Sequence, residues 1–367
     1  MRSLSGGDPA ERPRFGPVEE LLPFPLEFEP NRLLAFLDDG LSDRRRAALT
    51  ARLREWEPRL PVAVEIVPGG EVAKSIDAWR QRALICRDRG IDRRSLLLAI
   101  GGGALCDGVG FTAATWHRGV PWCALPTTLL AMADAGIGGK TALDLEALKN
   151  PIGAFWSPEA IGIDPSFLES LPARELRSGW AEMIKAAWIG DAALFEQWEA
   201  TPPVASGSVS DLLRAPTREE LERVVEVKLK IVECDPRESG PRRVLNLGHT
   251  LGHAIEALES VEAPRRTHGE AVAVGMAFAA RHAVARDPSN RHPLRLLRLL
   301  DACGFETAGP TTDFDALLSL VRSDKKCDGD AVTFALPVEP GRVDLVSTPL
   351  SALRDTLRSG AVPHPPR

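Results

Sequence analysis

Three times in the first 116 residues, a short apolar run is followed by a turn signal and then a helical pattern. RLLAFLDDG (32–40) precedes SDRRRAALTARLREWEP, and PVAVEIVPGG (61–70) precedes VAKSIDAWRQRALICRDRG. RRSLLLAIGGGALCDGVGFTAATW then holds a strand, a glycine triplet and a helix in one stretch. Apolar runs of this length bounded by Gly or Pro read as buried strands. Their alternation with helices calls for a parallel sheet with helices packed on it. After about Pro172 the texture changes. ARELRSGWAEMIKAAWI, TREELERVVEVKLKIVEC, LNLGHTLGHAIEAL, GEAVAVGMAFAARHAVA and PLRLLRLLDACG all carry helical periodicity. The predicted fold is therefore an α/β N-terminal domain over 31–172 and a mainly α-helical C-terminal domain over 173–367. Residues 1–30, rich in Pro, Gly and charge, read as a flexible N-terminal arm. TPPVASGSVS (201–210) reads as a polar loop and AVTFALPVEPGRVDLVS (331–347) as a late hairpin.

Composition narrows the class. The chain has 367 residues, enough for one large or two ordinary domains, and a formal charge of -6. That balance weighs against a nucleic-acid binder, which would show a basic surface. No apolar run is long enough to span a bilayer. The N-terminal stretch lacks the apolar segment of a signal peptide, so a cytoplasmic protein is expected. Six cysteines, none in a CxxC pair, read as reduced core thiols.

Three constellations point to chemistry. The glycine triplet Gly101–Gly103 lies at a strand-to-helix junction, where backbone N–H groups can approach a phosphate. Its spacing is not GxGxxG, and a simple tight turn explains it equally well. ADAGIGGKTALDLEALKNPIGAF places Asp134, Lys140, Lys149 and Asn150 among small apolar residues; lysines beside glycines suit a phosphate, and solvated surface lysines are the plain alternative. In SGWAEMIKAAWI, Glu182 and Lys185 share a helix face with apolar neighbours, so burial is expected, and a buried glutamate needs a lysine or metal partner. His249 and His253 are four apart, with His268 close behind; with Glu182 they supply the nitrogen and oxygen donors that zinc takes.

GGGALCDGVGF, HRGV, PTTLL, GGKT, KNPIGAF, GWAEMIK, LNLGHTLGHAIE and HGEAV occur in this order. Together they resemble the 3-dehydroquinate synthase family of the sugar phosphate cyclase superfamily. The dense likeness covers roughly 95 to 275, with echoes in PGGEVAKS (68–75) and SDKKCDG (323–329). The resemblance implies an NAD-binding α/β domain, a helical metal- and substrate-binding domain, an active site between them, and a homodimer. It implies Glu182, His249 and His268 as ligands of Zn²⁺ or Co²⁺. His253 then becomes a contact to the substrate phosphate, with Lys140, Asn150, Asn246 and Lys325 or Lys326 around it. Arg118 would reach the neighbouring subunit's site. Lys228 and Arg242 would hold a substrate carboxylate; Asp134, Lys185 and Glu238 would surround the hydroxyls. Asp38, Glu71, Lys74, Gly102, Gly103, Asp107, Thr127, Thr128 and Lys149 would bind NAD.

The implied reaction converts 3-deoxy-D-arabino-heptulosonate 7-phosphate to 3-dehydroquinate and phosphate by transient oxidation, elimination, reduction and an intramolecular aldol. The partner is thus a small phosphorylated sugar acid, with neither nucleic acid nor membrane involved. Amino-dehydroquinate and valiolone-type cyclases use the same machinery on other substrates, and a metal-dependent polyol dehydrogenase shares a related fold. Asn246, which can donate to a phosphate where valiolone-type enzymes carry Asp, and the pair Lys228 and Arg242 favour a carboxylate-bearing phosphate ester. Gly40, Asp144, Leu148 and Pro236 depart from the usual family pattern.

Overall fold

Leucine-rich runs become the middle of a parallel sheet. In the computed structural model the described residues are 12–146, 148–204, 213–259, 266–307, 314–323, 327–328 and 331–359. They fall into two units, Met1–Leu171 and Pro172–Arg367. The strands of the first unit are β1 (Arg14–Phe15), β2 (Leu33–Asp38), β3 (Val62–Val67), β4 (Leu96–Gly101), β5 (Trp122–Pro126), β6 (Lys140–Leu145), β7 (Leu148–Phe155) and β8 (Ala160–Ile163). Six of them form one sheet in the order β1-β8-β5-β4-β2-β3, every pair parallel. All residues of β2, β4 and β5 are buried. A sheet covered on both faces explains why these strands read as unbroken apolar runs and not as alternation.

The crossovers are short helices: α1 (Val18–Leu21) precedes β2, and α2 (Asp43–Arg54), α3 (Ile76–Asp88) and α4 (Gly103–Thr115) link the central strands. Ser42 and Ser75 cap α2 and α3 by accepting backbone N–H bonds from Arg45 and Ala78. The start of α4 has only Gly102, with no capping side chain.

Two sequence expectations for this unit need correction. Residues 12–30 are not a loose arm. β1 pairs with β8, the Val18 N–H donates to Asp164 at 2.8 Å, and Leu21, Leu22 and Phe24 are buried. The apolar residues of LLPFPLEF supply the burial that the surrounding prolines and charges mask. Residues 1–11 lie outside the described set. The stretch 140–155 is an antiparallel hairpin, β6 with β7, where only a polar cluster was read.

The second unit is built from α5 (Ala173–Gly190), α6 (Ala192–Ala200), α7 (Arg218–Cys234), α8 (His249–Leu258), α9 (His268–Arg286), α10 (Pro293–Ala302), α11 (Phe314–Ser323) and α12 (Leu350–Ser359). A small sheet accompanies them, β11 (Arg342–Pro349), β10 (Ala331–Glu339) and β9 (Cys327–Asp328), whose β10–β11 pair is the late hairpin. Most of the polar loop read at 201–210 lies outside the described residues. The central helix is α9, buried nearly all round and packed against α5, α8 and α10. Its face is made of Gly, Ala and Val, so neighbouring backbones come close. Four of the cysteines, Cys86, Cys106, Cys123 and Cys303, are buried free thiols. Burial pushes Cys86 and Cys303 up to about 12, so they stay protonated and inert. No helix among the described residues is long and apolar enough to cross a membrane.

On α9, His282 is buried with Nδ1 2.7 Å from the Thr356 hydroxyl of α12, and it stacks on Phe278. Burial disfavours its imidazolium, nearby Arg286 adds to that, and the ring is pushed down to about 4. An unfolded chain protonates this histidine near pH 6.5, the folded one only near 4. The unfolded state therefore binds the extra proton in that window, and stability falls as pH drops from 6.5 to 4, by roughly 3 kcal/mol at most. We expect His282→Gln to flatten this part of the profile: the gap between parent and variant in urea midpoint should narrow steadily between pH 6.5 and 4. A gap that does not change with pH would show that His282 titrates normally.

Candidate active site

Glycine decides where the ionisable groups of the second unit meet. A Cβ on Gly269, one residue into α9, would overlap the Ser178 carbonyl of α5, and the Gly269 N–H donates to Ser178 Oγ at 3.0 Å. One and a half turns on, a Cβ on Gly275 would overlap the carbonyl of Gly248, the residue that starts α8. Gly248 itself sits at φ 81, a left-handed conformation that favours glycine. These contacts bring Glu182 of α5, His249 of α8 and His268 of α9 together. Their donor atoms all lie within 4.8 Å of one another. Nε2 of His249 is 3.7 Å and Nε2 of His268 3.6 Å from Glu182 Oε1.

Glu182 is 1% exposed. Lys185, also buried, pairs ionically with Oε2 and leaves Oε1 toward the two imidazoles. A buried oxygen facing two ring nitrogens fits a divalent cation: tetrahedral zinc ligands at about 2.0–2.1 Å sit roughly 3.4 Å apart. On its far side, His268 Nδ1 is 3.1 Å from Glu256 Oε2. Burial disfavours the His268 imidazolium, but Glu182 and Glu256 outweigh it and raise the ring to about 10. A cation on Nε2 must therefore displace a well-held proton. His253, one turn beyond His249, lies with its ring 5.2 Å from His249 and 6.0 Å from His268.

Beyond α7, Asp235 pins a loop by accepting from the N–H groups of Ser239 (2.9 Å), Gly240 (2.7 Å) and Arg242 (3.2 Å). Burial pushes its carboxyl up, and these bonds more than offset that, leaving it at about 2. The loop carries Glu238, held at φ 56, whose Oε1 accepts from Asn246 Nδ2 at 2.6 Å. Arg242 is buried there and donates to the Pro236 carbonyl at 2.6 Å; Lys228 is buried on α7. Lys325 and Lys326 lie outside the described residues.

In the first unit, Asp38 ends β2 and accepts from the N–H groups of Gly40 (2.9 Å) and Gly102 (3.2 Å). A Cβ on Gly101 would lie 2.8 Å from Asp38 Cβ, and one on Gly103 2.7 Å from Ala135 Cβ. The outer two glycines of the triplet thus meet a packing demand, while Gly102 offers its N–H at the α4 start. Thr128 approaches Gly102; it also accepts from the Ala131 N–H at 3.2 Å, at the start of the π-helical turn Ala131–Ala135 that contains Asp134. Thr127 is buried beside it, its N–H donating to Gly101 O at 2.9 Å.

A second cluster gathers Glu71, Lys74, Asp107, Lys149 and Asn150. Lys74 Nζ donates to Asp107 at 2.8 Å and also to Asn150 Oδ1, and Lys149 Nζ donates to Glu71 at 2.5 Å. Asn150, at φ 55, has its N–H held by Asp144 at 2.7 Å. Burial pushes the Glu71 carboxyl up, and Lys149 outweighs it, so Glu71 ends below its usual range. Lys140 is exposed at the start of β6, and Arg118, exposed at φ 66, closes the turn after α4. The sequence reading overlooked Glu256 and Asp235. Glu256 had a signal: it stands three residues after His253 and seven after His249, on the same helix face.

Over most of its length the chain shares its fold with a solved 2-epi-5-epi-valiolone synthase from Streptomyces hygroscopicus with NAD⁺ and Zn²⁺ bound. The TM-score is 0.80 at 25% identity, covering 94% of this chain and 95% of that one. The 3-dehydroquinate synthase N-terminal family model matches residues 64–178 and the C-terminal model residues 179–327. The 3-dehydroquinate synthase of Rippkaea orientalis is 40% identical over 288 residues, 77% of this chain and 76% of that one. That of Halalkalibacterium halodurans is 35% identical over 346 residues, 93% and 92%. The chain belongs to the 3-dehydroquinate synthase family.

The glycine contacts make a direct prediction. In Gly275→Ala the new methyl group must push the start of α8 away from α9. We expect a loss of about 2–4 kcal/mol in urea unfolding, in the range of overpacked and strained sites. A loss under about 0.5 kcal/mol would mean that the helices separate freely.

Proposed function

We propose that this chain is a 3-dehydroquinate synthase, a phosphate-eliminating lyase that closes 3-deoxy-D-arabino-heptulosonate 7-phosphate to 3-dehydroquinate. The observation that carries this reading is the buried Glu182–His249–His268 cradle with His253 one turn away, in a chain of this family. When bound, a nicotinamide cofactor accepts and returns a hydride, and a divalent cation, zinc or cobalt, acts as Lewis acid.

In this reading Glu182, His249 and His268 hold the cation. Lys185 neutralises the second oxygen of Glu182, which keeps the buried cradle from carrying an uncompensated charge. His253 and Asn246 donate to the substrate phosphate, with Lys140, Asn150 and Lys325 or Lys326. Lys228 and Arg242 hold the carboxylate; buried cations suit it better than they suit a neutral sugar. Asp134, Lys185 and Glu238 orient the ring hydroxyls. Asp38, Glu71, Lys74, Gly102, Gly103, Asp107, Thr127, Thr128 and Lys149 bind the nicotinamide cofactor. Oxidation and reduction cancel over the cycle, so no cosubstrate is consumed. The substrate phosphate takes the proton that elimination releases, and the side chains mainly position groups and stabilise charge. We further propose a cytoplasmic homodimer in which the exposed Arg118 serves the partner subunit's site.

The purified protein with the heptulosonate phosphate, Zn²⁺ and substoichiometric NAD⁺ should release inorganic phosphate over many turnovers, with a product of 3-dehydroquinate mass and no net NADH. Turnover of sedoheptulose 7-phosphate alone would sink the carboxylate assignment, and accumulating NADH would indicate a dehydrogenase. His268→Ala should lose bound zinc, by more than about 100-fold in affinity, while His253→Ala keeps zinc and loses phosphate release. Equal zinc loss in both would refute the division of labour between the histidines.

A further inference from the structure

We propose that Glu256 is a positioning residue for the metal site, holding the His268 ring so that Nε2 and not Nδ1 is presented to the cation. The two nitrogens of this ring point in opposite directions. Nδ1 lies 3.1 Å from Glu256 Oε2, and Nε2 lies 3.6 Å from Glu182 Oε1. A carboxylate accepting from Nδ1–H fixes the tautomer and leaves the lone pair on Nε2. Without that partner, an imidazole at the first position of a helix is free to turn about χ1 and χ2 and offer either nitrogen.

The source of the carboxylate matters. Glu256 and His249 both stand on α8, so one helix supplies a ligand and also orients the ligand carried by α9. Donor atoms of His253, Glu256 and His268 also lie within 4.8 Å of one another. The carboxylate is therefore close to both the ring proposed for the metal and the ring proposed for the phosphate. This inference rests on the proposed metal role of Glu182, His249 and His268.

Zinc affinity, measured by chelator competition, and apo-protein melting would be compared in the parent, Glu256→Ala and Glu256→Gln. The alanine variant should bind zinc about 10–100-fold more weakly. The glutamine variant, whose side-chain carbonyl accepts the same N–H, should stay within about threefold of the parent. Nitrogen NMR of the zinc-loaded parent should show His268 with its proton on Nδ1 and the metal on Nε2. A merely structural Glu256 would shift apo melting and leave zinc affinity alone, which overturns the proposal. So does equal weakening in both variants, or a reversed His268 tautomer in the parent, a readout that holds even where the alanine variant does not fold. A parent that binds no zinc overturns the metal assignment itself, which separates that failure from this one.

Discussion

The geometry of the second unit depends on how closely two backbones, those of α5 and α8, can approach α9. Gly269 lets the Ser178 turn of α5 lie directly on it, and Gly275 does the same for the start of α8. Any side chain at either position holds the helices apart by the width of a methyl group. Close backbone contact is usually a packing device, worth some dispersion energy. Here it also sets the separation of Glu182, His249 and His268, because each stands within a few residues of a contact. The same two glycines thus settle core packing and the placement of the cradle. In the proposed metal role such a cradle tolerates little movement, since ligand distances must hold to within a few tenths of an ångström.

Much of this was legible in the sequence, for physical reasons that can be named. β2 and β4 announced themselves because a doubly covered strand is apolar at every position. Five helices of the second unit, α5 and α7 to α10, showed period and length, whereas α6, α11 and α12 were not read. The hairpin β6–β7 was hidden, although Thr141 and Leu143 alternate with more exposed neighbours, because glycines and lysines on either side dominate the local composition. The arm was misread for the opposite reason: two leucines and a phenylalanine among prolines and charges are enough to dock residues 12–30. At the site, helix spacing put His249 and His253 on one face but could not say which meets Glu182. That distinction comes from α5 and α9, which helix spacing within α8 does not constrain. Asp235 was unreadable for a related reason: its bonds run to the backbone of its own loop, and the sequence does not display the loop's course.

Several polar groups of these clusters are paired before any ligand arrives. Lys185 is paired with Glu182, Lys74 with Asp107, Lys149 with Glu71, and the Asn246 amide donates to Glu238. A buried charge without a counter-charge costs several kcal/mol, so such a site must be neutralised internally to fold. The consequence for binding is an exchange of partners. A phosphate or cation that enters replaces contacts the chain already makes, and gains only the difference. What the pairing secures is orientation, because each group is already held in a fixed direction. Asn150 illustrates this: Asp144 fixes its backbone at a left-handed φ, and Lys74 takes its side-chain oxygen. Its NH₂ group is thereby turned away from Lys74, and a donor with a fixed direction suits an anion better than one that must first be ordered.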